Sequence, residues 1–350
     1  MACGLLNWKE FLMRRSVAMV FALLVTLLLA SPTRSQLHRE ITMHLGMCDA
    51  SAAVAVAPTM FVVANDEDNV LRVYQRNKSE NPVTTFDLTS FLKPDPEHPE
   101  ADIEGATRIG ERIYWITSHG TNKEGKRRPS RRQLFATEVN IAGDKVTITP
   151  VGSPYTNLVK DLAESPWLKE YKLGDAAKEP PEQVADANRI AGLNIEGLTA
   201  TPQGTLLIAF RNPIPGGQAL LIPLDNPKEV INGKPAMLGK PMLLSLDGRG
   251  VRSIEYFEAW GKYLIVTGPP DDQGEFKLYQ WSGATSEAAA PIPDVTFKGV
   301  QPEALIIYPG EQTKVQLLSD DGTVQVEGKE CKDEAVEAAK KRFRSIWVTL

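Results

Sequence analysis

The motifs that define several common enzyme classes are missing from this chain of 350 residues. It contains no G-x-S-x-G, no H-E-x-x-H, no C-x-x-C and no glycine-rich loop that could cradle a phosphate. Serine hydrolase, zinc protease, thiol redox and nucleotide-binding functions therefore lack the residues on which they depend. The formal net charge is −5, so we expect no basic face able to neutralise a nucleic-acid backbone and no nucleic-acid partner.

Long apolar runs are also scarce. The uncharged, largely apolar run Val17–Ala30 has 14 residues, whereas a membrane-spanning helix needs about 20. Basic residues precede this run and a Ser-Pro pair follows it, which predicts a secretory signal peptide over residues 1–35. An uncleaved anchor is the alternative. We expect the remaining single domain, residues 36–350, to be a periplasmic or secreted monomer that is not inserted in a membrane.

Cysteine is rare, with three residues in the whole chain. Cys3 lies in the predicted signal peptide, which leaves Cys48 and Cys331 near the two ends of the exported part. In an oxidising compartment this pair is expected to form a disulfide bond. Two buried free thiols are the alternative.

A short pattern recurs along the chain: a polar residue, a spacer, glutamate and usually a small residue, followed by two apolar strands. The full instances are at residues 102–105, 194–197, 253–255 and 301–304, and a degenerate fifth instance carries Ser51 in place of glutamate. Between them lie short β-branched and apolar runs, about four to each unit. The repeat predicts an all-β protein, a β-propeller of five four-stranded blades, with six blades as the alternative.

One spacing in the repeat is too large for a blade. Residues 155–191 are polar with helix-like spacing, which predicts a helical insertion or lid rather than a sixth blade. In the last unit the runs ALIIY, KVQLL and TVQVE are predicted strands. The fourth strand there is either Phe343–Thr349 or, supplied by the other end of the chain, Glu40–Leu45. Either choice closes the ring and removes exposed sheet edges.

The recurring glutamates open the inner strands, so we expect their carboxylates to converge at one end of the central channel. They are Glu104, Glu196, Glu255 and Glu303. Because adjacent strands are antiparallel, the ends of the second strands add further polar residues to the same face, namely Asn65, Asp66, His119, Arg211, Asn212 and Asp320. Clustered carboxylates share protons or recruit a cation. Ca²⁺, which binds carboxylate and amide oxygens, fits this set with Asn65 and Asp66 as further ligands. The alternative is a structural lattice of glutamates with Arg211, Arg249 and Arg252.

A basic stretch, residues 118–132, lies between the second and third strands of the second unit. In it, Lys126 and Arg131 could grip a phosphate or carboxylate, and a solvated hairpin tip is the alternative. His119 is the only histidine on the predicted face and is the candidate general acid or base. A local hydrogen bond is the alternative role of this side chain.

Six sequence blocks carry a resemblance to a known family. They are ANDEDNVLRVY at 64–74, DIEG at 102–105, YWITSH at 114–119, NIEGL at 194–198, AFRNP at 209–213 and GRGVRSIE at 248–255. On these blocks the chain resembles an exported bacterial family defined as domain of unknown function 3616, and the resemblance implies fold and export rather than chemistry. The Glu-Gly openings are also similar to those of phytase-type esterase and calcium-dependent lactonase propellers, in which a glutamate at this position can bind the metal.

Two functions are compatible with these residues. The first is a divalent-cation-dependent hydrolase of a phosphoester, ester or lactone, acting on a small anionic substrate. In it the four glutamates hold the ion with Asn65 or Asp66, Arg211 and Arg252 bind the anionic group, and His119 moves protons. Glu196 is the ligand whose loss should abolish turnover. The second is a non-enzymatic propeller that binds a ligand or a protein at the same opening, with the glutamates as scaffold.

Overall fold

In the computed structural model the described fold begins at Glu40, after the predicted signal peptide. The described residues are 1, 40–143, 145–179, 191–271 and 274–350. The predicted signal peptide therefore lies, except for Met1, outside the described residues, as does the part of the predicted insertion at 180–190. The compact unit Glu40–Leu350 forms five four-stranded antiparallel sheets in a ring, which is the predicted five-bladed β-propeller.

The first strand, β1 (Ile41–Leu45), belongs to the last blade. Each other blade takes four consecutive strands, in order from the channel outward. Blade 1 contains β2 (Ala50–Ala57), β3 (Met60–Asn65), β4 (Val70–Gln75) and β5 (Thr84–Asp87). Blade 2 contains β6 (Ile103–Ile109), β7 (Arg112–Thr117), β8 (Leu134–Ala142) and β9 (Lys145–Tyr155).

The remaining blades follow the same order. Blade 3 contains β10 (Asn194–Ala200), β11 (Leu206–Asn212), β12 (Ala219–Leu224) and β13 (Met242–Leu244). Blade 4 contains β14 (Gly250–Phe257), β15 (Lys262–Gly268), β16 (Lys277–Trp281) and β17 (Ala290–Pro291). Between the second and third strands of blade 5 a two-stranded hairpin is inserted. The strands here are β18 (Pro302–Ile306), β19 (Lys314–Ser319), the hairpin strands β20 (Gln325–Val326) and β21 (Lys329–Glu330), and β22 (Arg342–Thr349).

Blade 5 closes the ring with strands from both ends of the chain. Its order is β18-β19-β22-β1, so the predicted strand at the C-terminal end is the third and the N-terminal segment is the fourth. The prediction of a blade strand in TVQVE was wrong, because Gln325–Val326 pairs only with Lys329–Glu330 in a small hairpin. The predicted disulfide is confirmed: Cys48 and Cys331 are bonded, with an S–S distance of 2.04 Å, and Val326 packs against them.

The core consists of apolar clusters between neighbouring blades. The inner strands lie side by side around the channel, and small residues follow the bulge in each of them. A Cβ added at Gly105 would lie 3.1 Å from the backbone nitrogen of Leu198, and one at Gly197 would lie 3.0 Å from a Val251 methyl carbon. The predicted small residue after glutamate is thus required by close approach of adjacent inner strands.

Helices are few and short among the described residues. They are α1 (Thr89–Leu92), α2 (Leu158–Glu164), α3 (Leu173–Ala176) and α4 (Pro227–Val230). The insertion after blade 2 contains α2 and α3, and its leucines, including Leu158, Leu162 and Leu173, are buried in the cluster between blades 2 and 3. None of the helices in the described ranges is long and apolar enough to cross a membrane.

Candidate functional site

A bulge near the start of every inner strand places one residue of each blade at the same end of the channel. The register shifts place these five residues at Ser51, Glu104, Glu196, Arg252 and Glu303. We call this end of the channel the mouth. Three of the four glutamates predicted to converge are therefore brought together. In blade 4 the equivalent position is an arginine rather than a glutamate.

The structure corrects the predicted place of Glu255. This residue pairs with Leu264, three residues beyond the bulge, so it lies deeper along the channel. Its carboxyl accepts hydrogen bonds from the Thr107 hydroxyl at 3.3 and 3.4 Å rather than joining the other glutamates. Burial raises the pKa of Glu255 to about 8. Glu255 is therefore a partly buried channel acid outside the mouth, where it does not join the other three glutamates.

One half of the mouth is neutralised by arginine. The Glu196 carboxylate pairs with Arg211 Nη1 at 3.0 Å and with Arg252 Nη1 at 2.9 Å, and Arg252 Nη1 also lies 2.9 Å from Glu303 Oε1. All four side chains are largely buried. Burial still raises the pKa of Glu303 to about 8, although Arg252 lowers it. The predicted structural lattice of glutamate and arginine exists here with Arg211 and Arg252, the two arginines proposed to bind substrate. Arg249, the third arginine of that prediction, pairs instead with Asp247 at 3.4 Å.

The other half of the mouth is a cluster of acids, built from blades 1 and 2. Carboxylate oxygens of Asp66, Asp102 and Glu104 lie within 4.8 Å of one another. A second triad, Asp49, Asp66 and Glu67, satisfies the same limit and shares Asp66. The set of these five residues is called the acidic cluster below. Burial, reinforced by the neighbouring carboxylates, raises the pKa of both Asp66 and Glu104 well above the ordinary range.

Compensation within the acidic cluster is incomplete. Arg131 Nη1 lies 3.0 Å from Asp102, and Lys332 Nζ lies 3.0 Å from Glu67. In the described part of the chain, no cationic side chain forms an ion pair with Asp66 or Glu104, and the buried Oδ1 of Asp66 has no hydrogen-bond partner. Two acids at the centre of the cluster thus face other acids.

The geometry of the acidic cluster fits a hard divalent cation. Ca²⁺–oxygen bonds are about 2.4 Å long, so two oxygens on opposite sides of the ion lie about 4.8 Å apart. The oxygens of each triad fall within that limit. Carboxylates, with water completing the shell, are the ligands that Ca²⁺ takes. A cation at Asp66 would also satisfy its unpartnered buried oxygen.

The remaining predicted site residues lie elsewhere. His119 is completely buried, its Nδ1 lies 2.8 Å from the Thr117 carbonyl oxygen, and burial lowers its pKa to about 4. The side chain of His119 therefore has no exposed surface to present to a substrate, and its catalytic role stays a prediction that the burial does not support. Lys126 is exposed on its hairpin. The Asn65 amide caps a local turn, accepting from the Glu67 N–H at 3.0 Å and donating to Asp68.

The sequence reasoning missed several residues of the acidic cluster. Asp49 and Asp102 stand two residues before the bulge position of blades 1 and 2, a regularity that the repeat already contained. Arg131, predicted to hold substrate, instead pairs with Asp102 and with Glu100. Lys332 is brought to the mouth by its neighbour Cys331, whose bond to Cys48 joins the two ends of the ring.

Comparison with known proteins supports the fold and leaves the chemistry open. The model of a family described as "Protein of unknown function (DUF3616)" matches residues 49–141 and 153–306. No curated protein matches the chain.

Solved structures resemble the chain only distantly. Glutaminyl cyclase of Myxococcus xanthus is 13% identical, with a TM-score of 0.42 over 89% of this chain and 95% of that one. The PQQ-bound aldose sugar dehydrogenase of Streptomyces coelicolor is 9% identical, with a TM-score of 0.44 over 89% of this chain and 98% of that one. Similarities at this level carry no argument about activity.

Proposed function

Because the chain belongs to the DUF3616 family, whose description assigns no activity, we propose from its geometry that it is a divalent-cation-dependent hydrolase. The cation, for which Ca²⁺ fits best, binds in the acidic cluster. The substrate is a phosphoester, ester or lactone that enters at the mouth.

The observation that carries this proposal is the uneven distribution of charge around the mouth. Glu196 and Glu303 have buried arginine partners. Asp66 and Glu104 lie within 4.8 Å of other carboxylates, and no cationic side chain of the described residues forms an ion pair with either. A fold that needed only a neutral scaffold would gain stability by neutralising both halves. Strongly perturbed acids gathered at one opening are typical of functional sites.

Each residue has a definite task in this proposal. Asp66, Asp102 and Glu104 hold the ion, and Arg131 fixes Asp102 from the outer side. A divalent cation bound there supplies Lewis acidity and lowers the pKa of water. Glu303, with a pKa raised to about 8, is suited to accept or release a proton near neutral pH. In this proposal Glu303 takes the role that the sequence predicted for His119.

The test compares two glutamate variants on inner strands. Glu104→Gln removes a ligand of the proposed ion, and Glu255→Gln is the matched control, a channel glutamate that is partly buried like Glu104 but lies outside the mouth. Calcium binding is measured by isothermal titration calorimetry, and turnover is measured with p-nitrophenyl phosphate, p-nitrophenyl acetate and a simple lactone. We expect the wild type and Glu255→Gln to bind calcium and to cleave one of these substrates, and Glu104→Gln to do neither.

Two results would overturn parts of the proposal. If the wild type binds no divalent cation, the cation site is wrong. If it binds calcium but cleaves none of the three substrates, the hydrolase hypothesis is wrong and the alternative, a propeller that binds a ligand without cleaving it, is favoured.

A further inference from the structure

A second concave site lies beside the mouth, between blades 4 and 5. It is a cavity of about 920 Å³, within the size range of sites for organic ligands. Its walls come from β16, from the segment after β17 that ends at Gln301, and from Arg344 of β22. Arg252 of the mouth forms part of its wall. The cavity contains none of the residues of the acidic cluster.

The inner wall of this cavity is apolar. Leu278, Phe297 and Val300 are buried in the cluster between blades 4 and 5, while Phe276, Ile292 and Val295 are only partly buried and present apolar surface to the cavity. Phe276 is held in place by Arg252, whose guanidinium carbon lies 5.4 Å from the centre of the ring. An apolar ligand group could therefore remove exposed apolar surface from water.

The charged residues of the cavity are mainly cationic. Arg252, Lys277, Lys298 and Arg344 line it, against one acid, Glu275. Three of these cations already pair with carboxylates: Arg252 with Glu196 and Glu303, Lys277 with Asp247 at 2.8 Å, and Arg344 with Asp321 at 2.6 Å.

Lys298 differs from the other three cations. It is exposed, and within the described ranges it forms no ion pair. Its loop anchors it, because Phe297 and Val300 on either side are buried and the Val300 N–H donates to the Phe297 carbonyl at 3.0 Å. The backbone of Lys298 is thereby fixed at the edge of an apolar cavity that this residue lines.

We propose that this cavity binds an amphipathic organic anion, in which an apolar chain or ring occupies the cavity and a carboxylate, sulfonate or phosphate group pairs with Lys298. The site is separate from the proposed cation site and does not require it. Arg252 lines this cavity and also pairs with Glu196 of the mouth.

The test uses dodecanoate below its micellar concentration, titrated calorimetrically into the full chain in the presence of EDTA, so that the result does not depend on a bound cation. Acetate controls for the anionic group without the chain, and dodecyltrimethylammonium controls for the chain without the anion. We expect saturable binding of one dodecanoate per chain and at least tenfold weaker binding of both control compounds.

Variants of the protein locate the binding. Lys298→Glu should weaken dodecanoate binding at least fivefold by reversing the charge, and Val295→Trp should weaken it at least tenfold by filling the cavity. Lys314→Glu, at the start of β19 and outside the cavity, should leave it unchanged. If thermal melts show that Val295→Trp does not fold, Ile292→Glu replaces it.

The proposal is overturned if dodecanoate does not bind saturably, if acetate binds equally well, or if Lys298→Glu binds like the wild type. Its failure is distinct from failure of the proposed function, because Glu104→Gln should keep dodecanoate binding while losing calcium.

Discussion

Substitution of Glu104 by glutamine should stabilise the metal-free protein, although it changes a buried residue on an inner strand. Carboxylate oxygens in the acidic cluster lie within 4.8 Å of one another. Two full charges at that distance repel by about 3.5 kcal/mol at an effective dielectric constant of about 20. Retaining a proton on Glu104 avoids this repulsion, and burial together with the neighbouring carboxylates raises the pKa of Glu104 in that direction.

The raised pKa of Glu104 points in the same direction. A proton that Glu104 keeps above its ordinary pKa of 4.5 is a cost to the folded state that a glutamine side chain does not bear. The sign follows from linkage. A raised folded-state pKa gives stability that is present below pH 4.5 and is lost as the pH rises. In EDTA the wild type should therefore lose stability as the pH rises above 4.5, and Glu104→Gln should lose less.

Thermal melts by circular dichroism test this reasoning. At pH 7 in EDTA we expect Glu104→Gln to melt roughly 5 °C above the wild type, because an unfolding entropy of about 2.1 cal/mol/K per residue over Glu40–Leu350 corresponds to about 1.5 °C per kcal/mol. In 1 mM calcium the wild type should gain about 2.7 kcal/mol if the Kd is about 10 μM, and the variant should gain nothing. A Glu104→Gln variant that melts lower than the wild type in EDTA, or that keeps the calcium response, would refute the argument.

Three further predictions follow from single contacts. Cys48→Ser with Cys331→Ser opens a loop of nearly the whole propeller and should lower the free energy of unfolding by about 5 kcal/mol, measured by urea denaturation; an unchanged midpoint would contradict it. Lys332→Met removes the ammonium paired with Glu67 and should tighten calcium binding about fivefold in calorimetric titrations, whereas weaker binding would make Lys332 a necessary part of the site. Gly250→Ala places a Cβ 2.2 Å from the Arg211 carbonyl oxygen and should destabilise by about 1–3 kcal/mol, and a wild-type melting temperature would disprove the close approach.

The blades could be predicted from the sequence because each rests on local signals. Short apolar runs separated by turns indicate antiparallel strands, and the recurring glutamate marked the start of the inner strand in blades 2, 3 and 5. The hairpin at Gln325–Val326 was misread because its alternation resembles a strand, whereas its residues pack on the disulfide. That packing depends on a contact between the two ends of the chain.

The error at Glu255 has a specific cause. In blade 4 the triplet Ser253-Ile254-Glu255 imitates the repeat, but strand pairing places the bulge at Arg252. The prediction followed residue type, whereas the hydrogen-bond register of the strands decides which residue lies at the mouth. Because Arg252 stands at that position, one half of the mouth is neutralised and the other half stays acidic. The repeat in the sequence does not predict this division.

The members of the acidic cluster were only partly predictable. Asp102 and Glu104 belong to one motif, but Asp49 and Lys332 are separated by almost the whole ring and meet because the disulfide joins their neighbours. Burial raises the pKa of Asp49 to about 8, and the nearby Asp320 and Glu67 add to this. Such couplings arise from ring closure and become visible only in the folded chain.

The most direct test of a cation at the mouth is a crystal of the protein grown with Mn²⁺, examined for anomalous scattering at a wavelength where manganese scatters strongly. We expect an anomalous peak within about 2.5 Å of carboxylate oxygens of Asp66, Asp102 and Glu104. An anomalous map with manganese peaks only at other places, or with no peak in the acidic cluster, would contradict the assignment of this half of the mouth to a metal ion.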